Sequence, residues 1–324
     1  MTGAPVLSFV VPVRNDALRL AGCLRSILRN RASCPDLEVI VADNGSTDGS
    51  GMVAQELGAR VLSLPGVPVA ALRNRAAALA RGTVLAFVDA DHEIAADWVA
   101  TAIEIVGDPR VGAAGAPYDP PPGATWVQRA YDGLRRHVAS AVDTAWLASG
   151  NLVIRRRVFD ALGGFDAGLE ACEDVDLSRR LRAAGYRLVA TPRLKSIHHG
   201  DPATLRALFF SELWRGRDNL RVSLRGTPAL RELVSLAIPI VDLVLLAIAV
   251  LGTISLSRPG VIAAGTALTG IAALAALRAG AMSVRLATGT AIGRLQVFAV
   301  ALVYDAARAI ALTTRSSHDR RARS

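Results

Sequence analysis

The stretch VLAFVDAD at residues 84–91 decides the fold, because it joins a short apolar run to a pair of carboxylates. A continuous apolar run of this length is typical of a buried β-strand. Asp89 and Asp91 follow the run directly, so two carboxylates leave the end of the strand two positions apart. One can accept a hydrogen bond from a sugar hydroxyl while the other binds a divalent cation that holds a diphosphate. Taken alone the pair is a weak signal, since acidic pairs are usually solvated turn residues.

The chain before this stretch alternates between strand and helix patterns. Short apolar runs predict strands at residues 6–13, 37–42 and 59–64, with helices between them. This alternation predicts a mostly parallel sheet with right-handed crossovers, in which ligands bind beyond the carboxyl ends of the strands. Asp43, like the later carboxylate pair, follows such a strand end. The Gly- and Pro-rich residues 109–122 predict a linker between two halves of the domain.

Charge and hydropathy divide the chain into two parts. Its 324 residues carry a formal net charge of +9 and a mean hydropathy of +0.35. Residues 1–200 have 22 Lys and Arg against 21 Asp and Glu, whereas residues 201–324 have 15 against 7. In the second part Arg residues flank long uncharged runs, which favours a membrane over a nucleic-acid surface. Three cysteines without a CxxC spacing predict neither a disulfide framework nor a zinc site.

Three apolar runs in the C-terminal third predict membrane helices, at residues 233–256, 261–277 and 291–312. The first has 24 residues with Asp242 as its only charge, and it exceeds the ~20 residues that cross a bilayer. The second has 17 residues, at the lower limit for a span. The third places Arg294, Asp305 and Arg308 on one side of a helix, so an interfacial helix is as plausible as a span.

Basic residues flank these runs on both sides. An amphipathic basic segment at residues 205–232 precedes them, and a basic tail at 313–324 follows them. Because cytoplasmic flanks of membrane helices carry an excess of Lys and Arg, both flanks are expected in the cytoplasm. We therefore expect two spans and an interfacial third helix, with three spans as the alternative. Asp242 is expected to contact a lipid-linked acceptor, to pair with an Arg of another helix, or to lie near the cytoplasmic boundary.

A second group of carboxylates lies between residues 170 and 176. Glu170, Glu173, Asp174 and Asp176 crowd four acidic side chains into seven positions, and their repulsion can raise one pKa toward the range of a useful general base. The alternative is a solvated helix N-terminus, where acidic side chains interact favourably with the helix dipole. From these residues alone, the helix N-terminus is the better interpretation.

Four sequence blocks stand in a fixed order: VVPVRN at residues 10–15, VADNGSTD at 41–48, RNR at 73–75 leading to DAD at 89–91, and GGFD at 163–166 with EDVD at 173–176. Jointly they resemble family 2 glycosyltransferases of the GT-A fold. The resemblance covers roughly residues 5–200 and places a catalytic domain at 1–204. It implies an α/β fold with a mostly parallel central sheet, followed here by C-terminal transmembrane or interfacial helices.

The resemblance implies a donor-binding role for five residues. Pro12 and Val13 with Asp43 would line the nucleoside pocket, where Asp43 would accept a hydrogen bond from a uracil ring. Arg73 would approach the base or the diphosphate, and Asp89 would lie near the ribose. A nucleotide-diphospho-sugar, expected to be UDP-linked, is thus the implied donor.

The resemblance also implies a metal site and a general base. Asp91 would bind Mn²⁺ or Mg²⁺ across the diphosphate, and a histidine after the last block often completes such a site. The adjacent His198 and His199 leave its register open, with His199 slightly favoured. Asp174 would take the proton from the acceptor hydroxyl. Side chains expected at the acceptor mouth or behind the ligands are Asn151, Glu173 and His198.

Together these features predict a multi-pass enzyme of the cytoplasmic membrane, with its catalytic domain in the cytoplasm. It would transfer a sugar with inversion to a lipid-linked or glycan acceptor, contacting membrane lipid and no nucleic acid. The Gln-x-x-Arg-Trp string of processive synthases is absent around residues 210–217, which favours transfer of one sugar per encounter. The main alternative is an inactive scaffold that binds nucleotide-sugar or lipid in a polysaccharide assembly complex. A nucleotidylyltransferase is disfavoured, because its Gly-rich opening string is missing.

Overall fold

The computed structural model describes residues 6–32, 34–135, 137–225 and 230–314, with the backbone alone described for 230–236. The chain divides into two compact units. The first comprises Met1–Pro121 and His137–Gly200, and the second comprises Pro122–Arg136 and Asp201–Ser324. Residues 122–136 therefore belong with the C-terminal part of the chain. From the sequence alone, these residues are expected inside the catalytic domain.

The first unit alternates strands with helices, as the sequence predicted. Its strands are β1 Leu7–Val13, β2 Glu38–Asp43, β3 Arg60–Ser63, β4 Val84–Val88, β5 His92–Ile94, β6 Val111–Gly115, β7 Val142–Asp143, β8 Asn151–Arg155, β9 Arg187–Ala190 and β10 Ser196–His198. Its α-helices are α1 Ala17–Arg29, α2 Ser50–Glu56, α3 Val69–Leu79, α4 Trp98–Gly107, α6 Arg156–Ala161 and α7 Glu173–Ala183.

Eight strands form one sheet in the order β3-β2-β1-β4-β8-β6-β9-β7. The first four pair in parallel, so their carboxyl ends lie along one edge. Strand β8 runs antiparallel between β4 and β6, β9 is parallel to β6, and β7 is antiparallel to β9. Strands β5 and β10 form a separate antiparallel pair. The prediction of an α/β fold with a mostly parallel central sheet is confirmed.

Successive side chains of β1 point to opposite faces of the sheet and enter two different cores. Phe9 and Val11 pack with residues of α1, α2 and α4, whereas Val10 packs with residues of α3, α6 and α7. Because helices cover both faces, the inner strands are apolar throughout and not alternating. This explains why strands such as 84–88 are recognisable in the sequence as continuous apolar runs.

The predicted linker at residues 109–122 is wrong in its central part, because Val111–Gly115 forms strand β6 inside the sheet. The strand has the sequence VGAAG, and its small residues permit close neighbours. A Cβ atom on Gly112 would lie 2.6 Å from the Tyr186 Cβ, and one on Gly115 would overlap the carbonyl of Asn151. The glycines that suggested a loop are therefore required by packing.

The second unit is helical in the part of the chain that the structure describes. Its helices are α5 Trp126–Asp132, α8 Leu205–Arg215, α9 Asn219–Ser223, α10 Leu230–Ile254, α11 Arg258–Arg285 and α12 Ala291–Ala311. Two are long and apolar enough to cross a membrane: Ala237–Ile254 with a mean hydropathy of 2.5, and Arg258–Arg285 with 1.9. Helix α11 has 28 residues, longer than the 17-residue run in the sequence.

Polar side chains of α12 lie inside the second unit. Asp305 accepts a hydrogen bond from Arg278 Nε at 2.7 Å, and Arg308 Nε donates to Glu212 Oε2 at 2.8 Å. Glu212 is fully buried and also accepts from the Tyr131 hydroxyl at 2.6 Å, which ties together α5, α8 and α12. The sequence placed this polar side of α12 at a membrane surface. In the structure Asp305 and Arg308 are instead paired with residues of neighbouring helices, whereas Arg294 is exposed.

Candidate functional site

The carboxyl ends of β1 and β2 place three of the predicted donor-binding residues side by side. In the parallel register Pro12 pairs with Ala42 and Val13 pairs with Asp43. Pro12 and Val13 are buried, and the exposed fraction of Asp43 is 8%. Asp43 Oδ1 accepts a hydrogen bond from the Ser46 N–H at 2.8 Å, which closes the turn after the strand.

Arg73 joins the first carboxylate after β4 to the start of α7. Its NH2 group donates to Asp89 Oδ1 at 2.5 Å, and its NH1 group donates to Glu173 Oε1 at 2.7 Å. The Arg73 side chain is 3% exposed and its guanidinium lies 5.7 Å from the ring centroid of Phe165. The predicted residues Arg73, Asp89 and Glu173 therefore form one ionic group, in which Arg73 and Glu173 are buried and Asp89 is partly exposed.

Ser149 extends this ionic group to Asp174. Its hydroxyl donates to Glu173 Oε1 at 2.9 Å, and its backbone N–H donates to Asp174 Oδ2 at 3.4 Å. Burial, reinforced by the charge of Glu173, raises the pKa of Asp174 to about 7. Glu173 is engaged by Arg73 and Ser149, whereas Asp174 accepts hydrogen bonds from backbone N–H groups and has a pKa suited to general base catalysis.

Asp91 lies against two histidines. His198 Nε2 is 3.2 Å from Asp91 Oδ2, and His92 Nε2 is 4.0 Å from Asp91 Oδ1. Burial alone would raise the pKa of Asp91, but the hydrogen bond from His198 and the nearby His92 hold it well below the usual range. The carboxylate is therefore ionised at neutral pH.

The group Asp91, His92 and His198 fits a divalent cation. Their ligand atoms lie within 4.8 Å of one another, and buried Asp91 Oδ1 has no hydrogen-bond partner among the described residues. Two glycines leave space beside these atoms. A Cβ on Gly200 would overlap Asp91 Oδ2, and one on Gly150 would lie 3.2 Å from His92 Nε2. One carboxylate oxygen and two imidazole nitrogens form a ligand set that can bind Mn²⁺ and similar divalent ions.

The histidine that faces Asp91 is His198, not His199, which the sequence slightly favoured. Consecutive residues of an extended segment point in opposite directions, and His198 is the last residue of β10. His199 Nε2 instead lies 3.1 Å from Glu93 Oε1. The sequence could not settle this register, because both residues are histidines.

Asn151 supports the site from behind and is not placed to meet an acceptor. It is 1% exposed, its Oδ1 accepts from Trp98 Nε1 at 3.0 Å, and its Nδ2 donates to the Leu194 carbonyl at 2.7 Å. Two features of the site were not predicted: the presence of His92 beside Asp91, and the hydrogen bonds by which Ser149 links Glu173 to Asp174. His92 follows the carboxylate pair directly, and that adjacency was the available signal.

Comparison with known proteins settles the family. The family model for glycosyl transferase family 2 matches residues 8–163, which include β1 to β4 and both carboxylates after β4. This match assigns residues 8–163 to glycosyl transferase family 2. The prediction made from the four sequence blocks is thereby confirmed.

Relatives of this family 2 chain differ in how much of their length it covers. The uncharacterized protein y4gI of Sinorhizobium fredii is 33% identical over 61% of this chain, but the chain spans only 25% of that protein. The succinoglycan biosynthesis protein ExoA of Rhizobium meliloti is 28% identical over 74% of this chain and 77% of ExoA.

A solved structure supports the fold of the family 2 chain. The mannosyltransferase PcManGT from Pyrobaculum calidifontis, in complex with GDP-Man and Mn²⁺, superposes with a TM-score of 0.61. The two share 19% identity, and the match covers 95% of this chain and 88% of the mannosyltransferase. At this identity the likeness shows a shared GT-A fold.

Proposed function

We propose that the chain transfers a sugar from a nucleotide-diphospho-sugar, expected to be UDP-linked, to an acceptor hydroxyl, with inversion and one sugar per encounter. The observation that carries this proposal is the contact chain Asp89–Arg73–Glu173–Ser149–Asp174. It connects the carboxylate pair beyond β4 with a carboxyl group whose pKa is about 7. The proposed donor site and the proposed base are thus joined by one continuous set of hydrogen bonds.

In the proposed reaction Asp174 accepts the proton of the acceptor hydroxyl while the hydroxyl oxygen attacks the anomeric carbon. The bond from that carbon to the diphosphate oxygen breaks, and the electron pair leaves on the nucleoside diphosphate. One displacement of this kind inverts the anomeric configuration. Rigid placement of Asp174 by Ser149 and α7 favours the reactive alignment without a covalent intermediate.

Asp91 and His198 would hold a divalent cation beside this site. A bound cation would supply electrostatic stabilisation of the charge that develops on the leaving diphosphate. The mannosyltransferase with the same fold is complexed with Mn²⁺. Asp43, Pro12 and Val13 would position the nucleoside, because they line the neighbouring strand ends.

For the acceptor we propose a lipid-linked glycan or polyprenyl phosphate at a cytoplasmic membrane surface. Helices α10 and α11 have the length and hydropathy of membrane spans. Exposed Phe210 and Trp214 of α8 and exposed Arg206 and Arg221 would meet the headgroup region and anionic lipid. The relative ExoA is named for succinoglycan biosynthesis, which is consistent with a role in polysaccharide assembly.

The test incubates the full chain in nanodiscs with a panel of nucleotide-sugars and Mn²⁺ and measures release of nucleoside diphosphate. Asp174→Asn should lower turnover by about 10²-fold or more, because it removes the proposed base. The matched control Asp160→Asn, at an exposed position on α6, should retain turnover. Donor binding without release of nucleoside diphosphate would support an inactive scaffold instead. Full turnover in Asp174→Asn would contradict the proposed mechanism.

A further inference from the structure

His92 and His198 lie directly opposite each other on two antiparallel strands. Strands β5 and β10 pair so that His198 is in register with His92, and directly opposed residues present their side chains to the same face. The two imidazole centroids are 4.6 Å apart. The position of His92 relative to His198 is therefore set by sheet pairing and not by a flexible loop.

The surroundings of His92 fix the orientation of its ring. The side chain is 1% exposed, and the ring of Tyr118 packs edge-on against it with centroids 4.8 Å apart. His92 Nδ1 lies 3.0 Å from the Ser196 hydroxyl, so Nε2 is the nitrogen on the side of the carboxylates. A hydrogen bond at one ring nitrogen is the usual way in which a protein orients a histidine that binds metal through the other.

We propose that His92 is a third protein ligand of the divalent cation that Asp91 and His198 would hold. This inference rests on the metal-dependent function proposed above and deepens it by assigning the class of metal. A site with two imidazoles and one carboxylate prefers Mn²⁺, Co²⁺ or Zn²⁺, whereas Mg²⁺ prefers oxygen ligands. The protein should therefore select Mn²⁺ over Mg²⁺ before any donor is bound.

The first experiment measures binding of Mn²⁺ alone to the full chain by EPR, in the absence of a nucleotide-sugar. His92→Gln should weaken Mn²⁺ binding about tenfold or more, as expected for loss of a metal-site residue. The matched control His137→Gln alters an exposed histidine of the same unit and should bind like the wild type. Unchanged Mn²⁺ affinity in His92→Gln would overturn the proposal.

A second measurement separates ligation from a positioning role. Pulsed EPR on bound Mn²⁺ should detect two imidazole nitrogens in the wild type and one in either His92→Gln or His198→Gln. If His92→Gln retained both nitrogen couplings, His92 would not be a ligand. A second variant, His92→Asp, controls for misfolding of His92→Gln, because it keeps a metal-binding side chain at this position. It should retain a metal site with one imidazole nitrogen, and its affinity for Mg²⁺ relative to Mn²⁺ should rise. Equal affinity of the wild type for the two ions would also overturn the proposal.

These outcomes are distinguishable from failure of the proposed function. Mn²⁺ binding that depends on His92, together with absence of sugar transfer, would contradict the proposed function and leave the metal site in place. Sugar transfer by a protein whose Mn²⁺ affinity does not depend on His92 would contradict the ligand role alone.

Discussion

Asp174 departs from the usual behaviour of a carboxylate at a helix N-terminus. The helix dipole and backbone N–H groups normally lower the pKa of such a carboxylate, and Asp174 Oδ1 accepts from the Val175 N–H at 2.8 Å. Burial and the neighbouring charge of Glu173 outweigh these contacts and raise the pKa to about 7. The opposing effects leave a group that is partly ionised at neutral pH, as a general base requires.

This pKa predicts the pH dependence of sugar transfer. Asp174 must be ionised to accept a proton, so kcat/KM should fall as the pH drops below about 7, by about tenfold per pH unit. The measurement is a pH profile of nucleoside diphosphate release at limiting donor concentration. Asp160→Asn should keep the same profile. A plateau that extended down to pH 5 would exclude Asp174 as the titrating base.

Gly200 provides a second prediction for a single residue. A methyl group there would overlap Asp91 Oδ2 and lie 3.0 Å from His198 Nε2, so the carboxylate would have to turn away from the histidine. Gly200→Ala should therefore weaken Mn²⁺ binding and lower turnover, the latter on the order of 10²-fold, as displacement of a reacting group by ~1 Å does. Mn²⁺ binding is measured by EPR, and turnover is measured by release of nucleoside diphosphate. Gly107→Ala is the matched control, because nothing lies within 4 Å of its added methyl group; equal effects of the two changes would contradict the argument.

From the sequence motifs, the identity of the charged residues in the site could be predicted, but their spatial arrangement could not. Asp89, Asp91 and Asp174 stood in recognisable blocks, and the structure places each of them in the site. The choice between His198 and His199 depended on a strand pairing that local sequence does not encode. The contribution of His92 likewise depends on its register with His198, a contact across 106 positions. Contacts of this kind follow from the fold and not from a motif.

At the scale of secondary-structure elements, apolar strands were predictable and the glycine-rich strand was not. Strand β4 is a continuous apolar run because both faces of the sheet are covered. Strand β6 has the composition of a loop, yet it lies between β8 and β9. Its glycines meet a local requirement for space beside Asn151 and Tyr186, which becomes visible only when the sheet is assembled.

Helices α10 and α12 bury the carboxylates of Asp242 and Asp305, and Arg278 of α11 interacts with both. This arrangement leads to a prediction for the stability of the helices. Arg278 pairs with Asp305 and interacts electrostatically with Asp242, whose carboxylate has no hydrogen-bond partner among the described residues. Arg278→Leu would leave buried carboxylates uncompensated and should cost about 3 to 5 kcal/mol of unfolding free energy. Asp242→Leu removes an unsatisfied buried group and should stabilise the helices by about 1 kcal/mol or more.

The measurement for these helices is unfolding in one detergent, followed by circular dichroism. The control Arg258→Leu makes the same change at the exposed start of α11 and should alter the free energy of unfolding by less than about 0.5 kcal/mol. A protein with Asp242→Leu that was less stable than the wild type would show that Asp242 has a stabilising partner after all.

At the scale of the whole molecule, the two parts of the chain use charge differently. The first 200 residues are nearly balanced, and several of their charged side chains form the Arg73 group and the candidate metal site. The C-terminal 124 residues, with 15 Lys and Arg against 7 Asp and Glu, carry nearly all of the net positive charge. Several of these Arg residues, such as Arg278 and Arg308, are ion-paired inside the second unit, while Arg206 and Arg221 are exposed. Exposed Arg beside apolar helices is the feature that sets orientation in a membrane.

This distribution predicts that the chain crosses the membrane twice. Ser257 lies between α10 and α11 beside a single Arg, whereas Thr288 lies between α11 and α12, where Arg278, Arg285 and Arg294 cluster along the sequence. In intact cells a membrane-impermeant maleimide should therefore label Ser257→Cys, and should label Thr288→Cys and Thr313→Cys, which follows α12, only after lysis. Labelling of Thr313→Cys without lysis would indicate a third span. The unmodified chain is the control, because its three native cysteines belong to the first unit and should stay unlabelled in intact cells. Labelling of Thr288→Cys without lysis would place the basic α11–α12 connection outside, against the charge rule, and would exclude the two-span topology.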